Sequence, residues 1–75
     1  MTPREKAHEI IDKYIQLLPY YSKESNYKRA VASSLIAVNE IIDTIYLNYY
    51  DIGNDTYEFW EQVKEQIINL KTNEQ

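Results

Sequence analysis

The chain has 75 residues and no cysteine. It therefore holds one small core, and disulfides, thiolate metal sites and cysteine nucleophiles are all excluded. Twelve acidic and eight basic residues leave a net charge of −4, which weighs against duplex DNA or RNA as a partner, because affinity for phosphate backbones rises with the cations presented.

The first helix is announced by TPRE. Thr2 is a good N-cap, Pro3 suits the first helical position, and Glu5 stands where a capping box puts its return acceptor. Ala7, Ile11, Tyr14 and Leu18 follow at steps of four, three and four, with Ile10 and Leu17 alongside. That is one apolar stripe at helical spacing, and Pro19 ends it, so the helix is expected over 3–18. MTPREKAHEI has no signal-peptide core, and no unbroken apolar run nears about 18 residues, so a cytoplasmic protein without a membrane partner is expected.

The connector PYYSKESN offers Ser22, Ser25 and Asn26 as competing caps. A long central helix then runs over about 25–50 without an internal glycine or proline. Val31, Leu35, Val38, Ile42, Ile45 and Tyr49 recur at steps of four and three, a seam suited to knobs-into-holes packing. Beside it lie Ala30, Ser34, Ala37 and Ile41, a mostly small strip that lets a second helix come close. DIGND holds Gly53, the sole glycine, which can close the helix in a left-handed conformation. In DTYE, Asp55 is the expected cap and Glu58 its partner. Trp60, Val63, Ile67 and Leu70, flanked by Phe59, mark a third helix over 55–71, and the tail KTNEQ is expected to fray. The whole, residues 1–75, reads as one all-α domain, a three-helix bundle with a long middle helix.

Ile36 and Leu47 belong to neither strip of the middle helix. At about 100° per residue they fall on its far side, near Arg29, Glu40 and Asp43. Isolated exposed apolar residues are common. A second apolar side on so short a chain also suits contact with another subunit, and a homo-oligomer is expected, with Ile36, Leu47, Tyr46 and Tyr50 as interface candidates.

YYSKESNYKR, residues 20–29, carries Lys23, Lys28 and Arg29 against the single acid Glu24. The simpler interpretation is a polar loop whose tyrosines cover the end of the bundle. The sharper one is an anionic ligand, such as a cyclic nucleotide. Its phosphates would meet Lys23, Lys28, Arg29 and the amides of a helix start, and its bases would stack on Tyr20, Tyr21 or Tyr27.

Catalytic and metal patterns are poor. His8 and Asp12 form one i, i+4 pair, but zinc takes three or four protein ligands, and no other histidine or thiolate exists. Glu40 and Asp43 lack the histidines of a di-metal carboxylate bundle. A single glycine leaves no phosphate-binding loop or nucleophile elbow, and Ser22, Ser25, Ser33 and Ser34 have no evident base. No enzyme, cofactor or metal is expected.

KAHEIIDKY, SLIAVNEII and WEQVKEQI, in that order along most of the chain, resemble segments of small helical proteins encoded by phages and prophages of Bacteroidetes-type bacteria. Those proteins usually carry Cys-Ala before the leucine of the middle segment and an aspartate within it. Ser33, Ser34 and Asn39 stand at those places here. The resemblance implies a phage accessory binding protein acting in the host cytoplasm. In that setting the nucleotide interpretation becomes sequestration, within an oligomer, of a signal used in host antiviral defence. The alternative is an inhibitor or adaptor that docks on a host or phage protein through the apolar, tyrosine-rich face of the middle helix.

Overall fold

The computed structural model describes residues 1–19, 22–47 and 54–73, and its elements are three α-helices: α1 over Pro3–Leu17, α2 over Lys23–Leu47 and α3 over Asn54–Asn73. No strand occurs among the described residues. At about 1.5 Å per residue α2 is some 37 Å long, close to the 43 Å length of the whole molecule. The connectors after α1 and α2 are too short to run back along such a rod, since a chain spans at most about 3.5 Å per residue. Successive helices are therefore antiparallel, and each packs against the other two.

The helix ends follow local chemistry. Thr2 is extended and its hydroxyl accepts from the Glu5 amide at 3.1 Å, while the Glu5 carboxylate accepts from the Thr2 amide at 3.0 Å. Both halves of the capping box are formed. α1 stops at Leu17, one residue short of the expected end, and Leu18 is extended at φ −85°, ψ 140°. Leu18 precedes Pro19, whose ring disfavours the helical region for the residue before it.

α2 starts two residues earlier than expected. Ser22 wins the competition for the cap: its hydroxyl accepts from the Ser25 amide at 3.0 Å and its carbonyl from the Asn26 amide at 2.9 Å. Ser25 and Asn26 are thereby drawn inside the helix. α3 begins at Asn54, so Asp55 lies in its first turn rather than at its cap, and Glu58 accepts from the Asn54 side chain at 3.0 Å. A carboxylate in a first turn still complements the helix dipole. α3 continues to Asn73, two residues past its expected end; Thr72 bonds back to the Ile68 carbonyl and Lys71 supplies the cation favoured at a C-terminus. Tyr20, Tyr21, Tyr49, Tyr50 and Gly53 lie outside the described residues.

The core is one cluster built on α2. Ala30, Val31, Val38 and Ile42 meet Ala7 and Ile11 of α1 and Val63 and Ile67 of α3, all buried. Tyr14, Leu18, Leu35, Phe59, Trp60 and Leu70 pack around this cluster half-buried. Leu17, placed alongside the α1 stripe, departs: it is 78% exposed, because at about 100° per residue it points roughly 90° away from Ala7, Ile11, Tyr14 and Leu18. Ser34 is wholly buried beside Ala30, and its hydroxyl donates to the Ala30 carbonyl at 2.7 Å. The small strip thus carries its one polar group at no cost in unmet hydrogen bonds.

By length and composition α2 could cross a membrane, with a mean hydropathy of 1.4 over its most apolar window, but buried core helices pass the same test. Here Val31, Val38, Ile42 and Ile45 are buried within the bundle, and Asn39, Glu40 and Asp43 interrupt the sequence.

Truncating Ile67 to alanine is expected to cost about 2–5 kcal/mol, the usual range for a fully buried branched residue, and urea unfolding measures it. Two of the α1 carboxylates contribute to the acid limb. Glu5 is held below its ordinary pKa by the Thr2 amide and then the Thr2 hydroxyl, and Glu9 by hydrogen bonds from Lys6 and then Lys13. A depressed folded pKa gives stability that is fully present above the unfolded value and is lost as pH falls through the folded one. The double variant E5Q/E9Q should therefore show a flatter loss of stability below the ordinary carboxylate range than the unaltered chain, measured as melting temperature against pH.

Candidate functional site

Two surfaces of α2 collect the residues singled out by sequence. The first is its N-terminal end. Lys23, Lys28 and Arg29 are all exposed there. Their spacing sends Lys23 to a different side of the helix from Lys28 and Arg29, since five residues turn the helix by about 140° past a full turn. Lys28 and Arg29 border an open hollow of about 340 Å³ together with Ser22, Glu24 and Ser25, and Lys23 does not line it. The Lys28 ammonium is 3.4 Å from the Glu24 carboxylate, one turn earlier. Tyr27 is half-buried and packs against the hydrophobic core, and Asn26 is buried with a polar partner. The structure thus joins two of the three cations in one hollow and turns Tyr27 toward the bundle.

The second surface is the outward face of α2. Ile36 is 67% exposed and Leu47 82%, with Tyr46 beside them at 69%. Arg29, Glu40 and Asp43, on the same stripe, are exposed too. Every other large aliphatic residue of α2 is buried or half-buried, so helical periodicity alone separates the two classes. Tyr50, the fourth interface candidate, lies outside the described residues.

The C-terminal end of this face gains a feature that sequence reasoning missed. Tyr57, in the second turn of α3, donates its hydroxyl to Glu61 one turn on, and that hydrogen bond raises the Tyr57 phenol above its ordinary pKa. The Glu61 charge adds to the effect, and Tyr46 and Asp43 of α2 contribute more weakly. The i, i+4 spacing of Tyr57 and Glu61 was a visible signal. Their meeting with Asp43 and Tyr46 was not, because it depends on how α3 lies against α2.

The remaining polar candidates stay apart. His8 and Asp12 are exposed on α1. Among the described residues, no three His, Cys, Asp or Glu side chains stand close enough to share a metal ion. Ser34 is committed to a backbone carbonyl, while Ser33 and Asn39 are half-buried on α2. Elsewhere, Glu61, Gln62, Lys64, Glu65 and Ile68 line a second open depression of about 290 Å³ on α3. Comparison with known proteins returns no family model, no curated protein and no solved structure that matches the chain.

A raised folded pKa gives stability that is present below the unfolded value and lost as pH rises through the folded one. For Tyr57 this puts the effect on the alkaline limb. Replacing Glu61 with glutamine should bring the phenol back toward its ordinary range, as read by ultraviolet titration of E61Q against the unaltered chain, with Tyr57→Phe identifying the transition.

Proposed function

We propose that this protein is a non-catalytic binding module whose working surface is the outward face of α2. One observation carries the reading. Ile36, Tyr46 and Leu47 stand well exposed on a helix whose other large aliphatic residues face the bundle. Aromatic and aliphatic anchors rimmed by charge are the usual make-up of a protein-binding patch, and Arg29, Glu40 and Asp43 supply that rim. Together with the resemblance to small phage and prophage proteins, this describes an accessory protein that acts in the host cytoplasm as an inhibitor or adaptor of another protein.

A second reading, sequestration of an anionic nucleotide such as a cyclic nucleotide signal in an oligomer, draws on the hollow that Lys28 and Arg29 share. It is the weaker of the two. Glu24 beside Lys28 offsets part of the positive charge an anion needs, and Tyr27 packs on the core rather than standing clear to stack on a base.

The two readings separate in one set of variants. In extracts of the producing host, the unaltered chain should retain a specific protein that I36D/L47D does not retain. Its melting temperature should stay unchanged with cyclic di- and trinucleotides. Retention that survives I36D/L47D removes the outward face from consideration. A rise in melting temperature with nucleotide that is lost in K28A/R29A, but kept in I36D/L47D, moves the function to the N-terminal hollow.

A further inference from the structure

The outward face of α2 has a symmetry that neither its apolar content nor its charge shows alone. Arg29 stands seven residues before Ile36 and Asp43 seven residues after it; Ser25 stands eleven before and Leu47 eleven after. Seven residues are close to two helical turns and eleven close to three, so all of these fall within about 20° of Ile36 around the helix. When two such helices lie antiparallel with Ile36 on the twofold axis, Ile36 meets Ile36. Arg29 of each copy then meets Asp43 of the other, with Glu40 one turn nearer the centre. Leu47 of each copy falls opposite Ser25 of the other. An open hollow of about 340 Å³ lies there, and among the described residues Leu47 is the most exposed large apolar side chain.

We infer that, when no foreign protein occupies it, this face pairs with a second copy of the same chain, in an antiparallel α2–α2 pair centred on Ile36. The inference rests on the reading of the outward face as the working surface and names what covers it in the free protein. Three features at separate positions favour the same register: an exposed isoleucine on the axis, opposite charges about 10.5 Å to either side of it, and a protruding leucine matched to a hollow about 16.5 Å away. Ala32 and Ser33, next to Ile36, are short enough to let the two backbones close together. A parallel pair is opposed by the same residues, since it sets Arg29 against Arg29 and Asp43 against Asp43. Arg29 already has an interaction within its own chain, and a guanidinium with five donors can add a carboxylate to it. A strip one helix wide covers less than the roughly 800 Å² per partner of a standard interface, so the pair is a weak, reversible one. Because Leu47 fills the hollow, an anion at Lys28 and Arg29 and the paired state exclude one another.

The absence of cysteine makes cross-linking a clean test. Under mild oxidation at several hundred micromolar protein, I36C should give a covalent dimer, and so should the double variant S25C/L47C. S25C alone should stay monomeric, because the two copies of residue 25 lie about 33 Å apart in this register. Sedimentation of the cysteine-free chain should show a reversible dimer, weakened about tenfold or more by R29D or D43R alone and recovered in R29D/D43R. Circular dichroism of each variant confirms that it is folded. Cross-linking of S25C alone, or failure of S25C/L47C to link while I36D still disrupts association, overturns the register and leaves the working surface in place. A chain that stays monomeric at these concentrations, yet loses a foreign partner on I36D/L47D substitution, overturns the second copy as occupant only. A monomer whose outward face binds nothing overturns both readings.

Discussion

The burial of α2 against both neighbours at once is the contact on which the rest depends. A chain this short has room for one core, and here a single 25-residue helix forms the wall shared by the other two. Val31, Val38 and Ile42 give that wall its bulk. Ala30 and Ser34, both without exposed surface, let a neighbouring helix come close. α1 and α3 bring two fully buried residues each, Ala7 and Ile11 from one and Val63 and Ile67 from the other. Neither could bury those side chains without α2, so the bundle stands or falls as one unit.

The same arrangement determines what α2 can offer to anything else. A helix in a three-helix bundle is covered by its two neighbours over part of its circumference, and the remainder faces outward by geometry. On most surface helices that remainder is polar. Here it carries Ile36 and Leu47 among Arg29, Glu40 and Asp43, with Tyr46 alongside. The polar ends of the molecule have a different character. Their hydrogen bonds are short-range and local: the Thr2–Glu5 box, the Ser22 cap, the Lys28–Glu24 pair and the Tyr57–Glu61 bond all join residues three or four apart. They act within single helices and make no demand on the outward face of α2.

Much of this was legible in the sequence, and for definite reasons. Thr2, Pro3 and Glu5 wrote the start of α1 because a capping box is a local contract between three residues. The burial of Val31, Val38, Ile42 and Ile45, and the exposure of Ile36 and Leu47, followed from helical periodicity alone. The misplacements were at boundaries. Leu18 was lost to the residue after it, Pro19; Ser22 prevailed over Ser25 and Asn26; and Asp55 lies one residue inside α3 instead of capping it. In each case two local preferences of similar size compete, and their balance does not show in a residue type. Leu17 stood alongside the α1 stripe in sequence, but its direction, about 90° round the helix from that stripe, leaves it exposed.

At the candidate sites the division is sharper. The sequence by itself determined that there are three helices, which faces of each are apolar, and that Lys28 and Arg29 follow one another at the start of the longest, because these are consequences of spacing along one chain. Only the tertiary structure decided that Tyr27 turns to the core, that Asp43 and Tyr46 stand near Tyr57 and Glu61, and that a hollow opens beside Ser25. Those facts depend on distances between residues on different helices, or on space left between side chains. Periodicity sets the direction in which a side chain leaves its own helix. What it meets there is set by how closely and at what angle the other two helices pack, and that follows from the fit of the whole core.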